Sequence, residues 1–225
     1  MLITISNIIR KEELESIRAT LNKLSWRDGA STAGVDAKSV KKNQQADLSS
    51  EIGKILHKQI LEILQVHPVL LSAARPKRFS RLIVSQTTGE GHYGPHVDNA
   101  LMETGGRLLR TDLSFTLFLS NPDEYEGGEL SIQYPGFTQR HKPSAGDLVL
   151  YPSTQIHEVA PVTQGSRLAC VGWIESTIRD QMSREVLFDL TNLKVSMSNK
   201  YTPQSVEMLT LNKNISNLLR YWSET

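Results

Sequence analysis

Between residues 79 and 173 the chain breaks into short runs of strand character, and this stretch constrains the fold more than any other feature. The runs cover 79–85, 113–119, 129–133, 147–151 and 167–173. Each is rich in β-branched, aromatic or aliphatic residues and is closed by Gly, Pro, Asn or Asp. Runs of strand length separated by turn residues predict a sandwich or barrel of the jelly-roll type.

A helical period brackets this region on both sides. Leu14, Ile17, Leu21 and Leu24 recur at three- and four-residue spacing, as do Ile52, Ile55, Leu56, Ile60, Ile63 and Leu64. Two amphipathic helices are therefore expected before residue 66. The stretch between them, 26–48, is rich in Gly, Ser, Ala, Lys and Gln and reads as an irregular segment or short strand, a candidate lid. After Glu175 the period returns with Ile178, Met182, Val186, Leu190, Leu193 and Met197, and Thr177 followed by Asp180 marks a helix start. A last helix is expected from Thr202-Pro203, carrying Val206, Leu209, Leu218, Leu219 and Trp222. The expected class is α+β: a double-stranded β-helix (jelly-roll) core at 78–177, N-terminal helices in 1–77 and a C-terminal helical extension at 178–225.

Bulk chemistry narrows the partners. Twenty-five Lys and Arg against twenty-four Asp and Glu give a formal charge of +1, so no general attraction to nucleic acid or anionic membrane is expected. The short basic clusters Lys38, Lys41, Lys42 and Arg75, Lys77, Arg78 lack interleaved aromatics and read as solvated surface. The single cysteine, Cys170, lies in an apolar run and is expected as a buried thiol in a reducing compartment. The apolar start, residues 1–9, is interrupted by Thr4, Ser6 and Asn7 and is too short for a secretory signal. No run approaches the ~18 apolar residues of a membrane span, and a cytoplasmic location is expected. The exposed apolar face of a terminal helix suggests pairing with a second copy.

Three residues carry the chemistry. In the run Tyr93-Gly-Pro-His-Val-Asp98, His96 and Asp98 stand two apart, so an extended backbone points both side chains to one face. His157, beyond the strand at 147–151, could reach the same point across an antiparallel barrel. Two imidazoles and one carboxylate on one face of a metal leave three positions open, an arrangement that suits non-haem Fe(II) oxygenases. Taken singly, each has an ordinary role in a turn or on a surface. Their joint order, with Arg167 ten residues after His157 at the start of a strand, is what points to a site. A guanidinium pairs bidentately with a carboxylate, so Arg167 on an inner barrel wall can anchor the distal carboxylate of 2-oxoglutarate.

With these residues in place, 78–177 resembles the catalytic domain of the prolyl 4-hydroxylase-like dioxygenases, and the whole chain resembles the bacterial PKHD-type hydroxylases. The resemblance extends to Trp26-Arg-Asp-Gly, Thr32-Ala-Gly34, Val40-Lys-Lys-Asn43, Gly127-Gly-Glu-Leu130, Pro143-Ser-Ala-Gly-Asp147, Tyr151-Pro-Ser153 and His157-Glu-Val159. It implies His96, Asp98 and His157 as iron ligands and Arg167 as the 2-oxoglutarate residue. It further implies O2 as second cosubstrate, ascorbate as reductant, and an unidentified primary substrate: a prolyl or lysyl side chain, or a small molecule of iron uptake. Collagen-type relatives generally use Lys where this chain has Arg167. Nucleic-acid-demethylating relatives commonly carry a second Arg where this chain has Trp173, which argues against base repair. The strand expected at 82–88, before the H-x-D run, lacks the tyrosine often seen there in relatives, so it names no second 2-oxoglutarate contact. Two other readings stay open at this point: a zinc hydrolase on the same ligands, which leaves Arg167 unused, and a non-enzymatic jelly-roll sensor of iron or 2-oxoglutarate. His57, His67, His92 and His141 read as structural or surface residues.

Overall fold

A computed structural model describes residues 1–32 and 38–224. Eight core strands follow in chain order: β1 (Ile83–Thr87), β2 (Gly91–His96), β3 (Leu113–Phe118), β4 (Leu130–Tyr134), β5 (Phe137–His141), β6 (Leu148–Pro152), β7 (His157–Gly165) and β8 (Arg167–Ser176). They form two antiparallel sheets. One sheet holds them in the order β6-β3-β8-β1 and the other in the order β5-β4-β7-β2. The chain thus alternates between sheets, with the β4–β5 hairpin as the exception, which is the connectivity of a jelly roll.

Residues before the core extend both sheets. Ile3–Ile5 pairs with β6 and puts Ile5 in the core, which is why the interrupted apolar start is a strand. Trp26–Asp28 and Gln44–Ala46 continue the first sheet beyond β1, while Lys41–Lys42 pairs with β2 in the second. The candidate lid, 26–48, contributes edge strands to both sheets, and its residues 33–37 lie outside the described part.

The helices cover the outer face of the first sheet. α1 (Lys11–Leu21) buries Leu14, Ile17 and Leu21, and α2 (Glu51–Val66) buries Leu56, Ile60 and Leu64, in agreement with the sequence period. These leucines and isoleucines join Leu82, Val84, Phe115, Leu117, Leu148, Leu150 and Cys170 in one apolar cluster. α3 (Pro68–Ala74) opens on Pro68, with the His67 ring accepting from Leu70 N at 3.5 Å. α4 (Gln181–Met197) and α5 (Val206–Trp222) pack on each other after the last strand. Among the described residues no helix is long and apolar enough to cross a membrane.

Four sequence expectations shift. The run 79–85 is two strands, because Pro76–Phe79 pairs with the end of β8 and β1 with its beginning. The chain crosses between them where Ser80 N donates to Trp173 O and Trp173 N donates to Ser80 Oγ. The start of α4 is capped by Asp180, which accepts from Ser183 N at 2.7 Å, whereas the Thr177 hydroxyl donates to Arg75 O. α5 begins at Val206 behind a Ser205 cap, not at Thr202-Pro203, and its buried side chains are Met208 and Leu211. Val206, Leu209 and Tyr221 stay exposed. Finally, β5 and β7 have no apolar alternation to announce them, because β5 is almost wholly exposed and β7 mixes buried, half-buried and exposed residues.

Candidate metal centre and its cavity

The two histidines meet because strand pairing makes them partners. His96 is the last residue of β2, His157 the first of β7, and they face each other in the antiparallel register. Side chains of directly opposed residues share one face at close range, and the ring centroids lie 4.2 Å apart. His157 thus arrives on the neighbouring strand of the same sheet and does not reach across the barrel. Asp98 lies two residues past His96, with Val97 between them turned outward at 51% exposure. The period-two geometry expected of the H-x-D run holds although the strand ends at His96. Asp98 Oδ2 stands 3.6 Å from His157 Nε2, and one donor atom from each of the three residues falls within 4.8 Å of the others.

Hydrogen bonds fix which atoms face the centre. His96 Nδ1 lies 2.8 Å from Gly94 O and His157 Nδ1 lies 3.0 Å from Gln155 O. A carbonyl only accepts, so each Nδ1 carries the proton and each Nε2 presents a lone pair. Such second contacts are what orients a metal-binding imidazole. Burial, and secondarily the neighbouring His157, push the His96 pKa down to about 4. The ring is therefore neutral at pH 7. Ser114 Oγ donates to Asp98 Oδ2 at 2.6 Å. The Tyr93 ring stacks on His96 at 3.6 Å, and Lys41 Nζ sits 4.9 Å above Tyr93. Burial lowers the Lys41 pKa to about 8, against the pull of Asp98 and Asp28.

Arg167 reaches the same cavity from the opposite sheet. It is the first residue of β8, is 2% exposed, and lays its guanidinium 5.1 Å from the Phe118 ring centroid. Among the described residues its Nε and Nη2 meet no hydrogen-bond partner of good geometry, and the Tyr125 hydroxyl is the polar group beside it. Burial lowers the Arg167 pKa from its usual value. A guanidinium held like this is costly unless an anion joins it. Gly128 makes the room: at φ +68° its added Cβ would stand 3.0 Å from Arg167 Cδ and 2.9 Å from Val162 Cγ2. Arg167, His96, Asp98 and His157 line one cavity of ≈ 100 Å³, to which Thr116, Tyr151 and Trp173 contribute walls. A water needs roughly 10–15 Å³ by the same measure, so the space holds a small ligand's worth of solvent. The unpaired guanidinium fits a carboxylate, and two imidazoles with one carboxylate fit Fe(II).

Residues 82–175 match the model of the 2OG-Fe(II) oxygenase superfamily. A PKHD-type hydroxylase from Hyphomonas neptunium is 49% identical, over 99% of this chain and 100% of its own length. Another from Acidovorax ebreus is 43% identical, over 99% of each. The chain belongs to the PKHD-type hydroxylases. A solved prolyl hydroxylase from Trichoplax adhaerens, in complex with a hypoxia inducible factor oxygen degradation domain peptide fragment, shares the fold with a TM-score of 0.59. It is 16% identical and covers 82% of this chain and 86% of its own. This PKHD-type hydroxylase is accordingly a 2-oxoglutarate-dependent iron dioxygenase. Membership in this enzyme family favours that chemistry over the zinc hydrolase and the sensor.

Several wall residues of this PKHD-type hydroxylase have no role assigned from the sequence, although Lys41 and Asn43 fall in its Val40-Lys-Lys-Asn43 run. Lys41, read from sequence as solvated surface, is half-buried in the cavity wall with Asn43 and Gln45, because strand Lys41–Lys42 pairs against Tyr93. Ser114 and Tyr93 carry no signature beyond strand position. His141, expected on the surface, is half-buried with its Nε2 shielded and unpartnered. The other histidines stay out of the site: His57 Nε2 accepts from Leu82 N at 3.2 Å, His67 caps α3, and His92 Nδ1 bonds the Glu90 carbonyl.

Proposed function

We propose that His96, Asp98 and His157 hold Fe(II) and that Arg167 anchors the distal carboxylate of 2-oxoglutarate. Oxidative decarboxylation to succinate and CO2 is thereby coupled to hydroxylation of a second substrate. The observation that carries this reading is the buried Arg167, with two unpartnered nitrogens, in one cavity with the three donors. When bound, iron and 2-oxoglutarate supply the oxygen activation that no side chain here can supply.

The protein's own part is positioning. The two imidazoles turn Nε2 to the centre because Gly94 O and Gln155 O hold Nδ1–H on the far side. Ser114 stops the Asp98 carboxylate from turning. The Arg167 fork fixes the cosubstrate's far end, and the Phe118 ring beneath it keeps water away. Ascorbate keeps the metal reduced. The primary substrate, on the resemblance noted above, is a prolyl or lysyl side chain or a small molecule of iron uptake, taken into the cavity that Val97, Met102 and Trp173 also line. The reading divides the chain into an N-terminal segment 1–77, the double-stranded β-helix 78–177 and a helical extension 178–225.

Anaerobic titration with Fe(II), then 2-oxoglutarate, followed by succinate release in air, tests the reading. One metal per chain, one 2-oxoglutarate per metal and slow succinate formation without added substrate are expected. Metal binding that survives His157→Ala undiminished would refute the ligand set.

A further inference from the structure

Behind Asp98 runs a pair of hydroxyls that the reading above uses only in part. Ser114 on β3 and Ser153, one residue past β6, are 2% and 3% exposed. Their Oγ atoms lie 2.7 Å apart, and Ser114 Oγ lies 2.6 Å from Asp98 Oδ2. That second distance is in the range of charge-assisted O–H···O⁻ bonds. A metal-holding carboxylate has no proton to give, so Ser114 donates to Asp98. A hydroxyl has one hydrogen; Ser114 therefore accepts from Ser153, and the direction of the whole chain is set. Ser153 is itself fixed, since its backbone N–H donates to Asp112 O at 3.3 Å. The chain of bonds spans the sandwich. Asp98 follows β2 in the second sheet, whereas both serines belong to the first.

We infer that Ser153 and Ser114 are positioning residues that form a directed hydroxyl relay holding the Asp98 carboxylate in its metal-binding orientation. The inference rests on the metal centre proposed above. Oδ2, the oxygen gripped by Ser114, is also the one 3.6 Å from His157 Nε2. Gripping it arrests rotation about Cβ–Cγ with that oxygen turned toward the centre. Asp98 needs such help because it lies beyond the end of β2, where no ladder bond holds its backbone. The relay also gives a task to Ser153 of the Tyr151-Pro-Ser153 run, which no ligand or cosubstrate role explains.

The test is titration of apo full-length protein with Co(II), read by affinity and by the visible absorption of the bound ion. Ser114→Ala is expected to bind about 10–100-fold more weakly, the usual cost of losing an outer-shell partner, with a changed spectrum. Ser153→Ala weakens binding less, and the double variant is no worse than Ser114→Ala, because the hydroxyls act in series. Ser114→Thr, which keeps the hydroxyl, restores most of the affinity. Two buried serines that merely satisfy each other would give unchanged affinity and spectrum in folded Ser114→Ala and Ser153→Ala, and that result overturns the relay alone. Additive losses in the double variant also overturn it. Wild type that binds no Co(II), or binds it as well after His157→Ala, overturns the metal centre and the relay together.

Discussion

Replacing Arg167 with Met should make the protein more stable and less useful at the same time. The side chain is 2% exposed, its Nε and Nη2 have no partner, and burial already works against its charge. Met keeps similar length and apolar stem packing over Phe118 while removing the charge. Exchanging a buried charged group for an apolar one of similar volume is often worth about 1–4 kcal/mol in favour of the variant. For a chain of this size each kcal/mol moves Tm by about 2–4 °C, so the ligand-free variant should melt several degrees above wild type. Adding 2-oxoglutarate raises the wild type toward or past the variant. At a hundredfold excess over Kd a ligand stabilises by about 2.7 kcal/mol, which the wild type should gain once metal is present. Loss of one partner of a desolvated charge pair costs ~2–5 kcal/mol, about thirty- to several-thousand-fold in affinity. The variant should therefore gain at most about 0.9 kcal/mol at the same concentration. The assay is a thermal melt of both proteins, loaded with Mn(II), with and without 2-oxoglutarate, beside a metal titration that should not distinguish them. Arg167→Lys should fall between, a point charge in place of a fork. A variant that melts below wild type without ligand, or that keeps the full 2-oxoglutarate shift, would show that Arg167 is a structural cation and the cosubstrate carboxylate sits elsewhere.

Asp98→Ala should abolish succinate release even under excess Fe(II), measured by discontinuous assay; release at wild-type rate would remove Asp98 from the centre. Gly128→Ala should cost about 1–2 kcal/mol for its positive φ and, by pressing on Arg167 Cδ, raise the KM for 2-oxoglutarate while leaving iron affinity alone; an unchanged KM refutes the link. Lys41 has a folded-state pKa lowered from 10.5 to about 8, so its buried charge costs stability in full below pH 8, and the cost fades between pH 8 and 10.5 as the folded state releases its proton first. Lys41→Met should thus raise Tm more at pH 7 than at pH 10, and an equal gain at both would contradict the burial argument. Cys170, with its thiol buried and pushed up to about 12, should resist alkylation at pH 8 in the native protein and react once unfolded.

What the sequence made legible was chemistry carried by spacing. Residues two apart on an extended chain share a face whether or not a sheet is present, so His96 and Asp98 could be paired without coordinates. α1 and α2 were legible for a related reason: one face of each is buried entirely by aliphatic side chains, and a 3.6-residue period survives in the letters. The less legible elements have a mixed environment. β7 begins with the buried His157 and ends in the exposed Gln164-Gly165, with Pro161 between, so no alternation records its register. Yet that register decides that His157 lies beside His96 on the next strand. The relay serines were illegible for a deeper reason. Ser114 sits in a strand whose other residues are all buried, where a hydroxyl costs stability unless something accepts its hydrogen. Its acceptor, Asp98, is sixteen residues away, in the loop after a strand of the other sheet. A buried polar residue in an apolar run thus signals that a partner exists, while only the fold says which one. Arg167 was legible differently, from its place ten residues after His157 at the start of a strand, while its burial and its two nitrogens without a partner among the described residues are visible only in the fold.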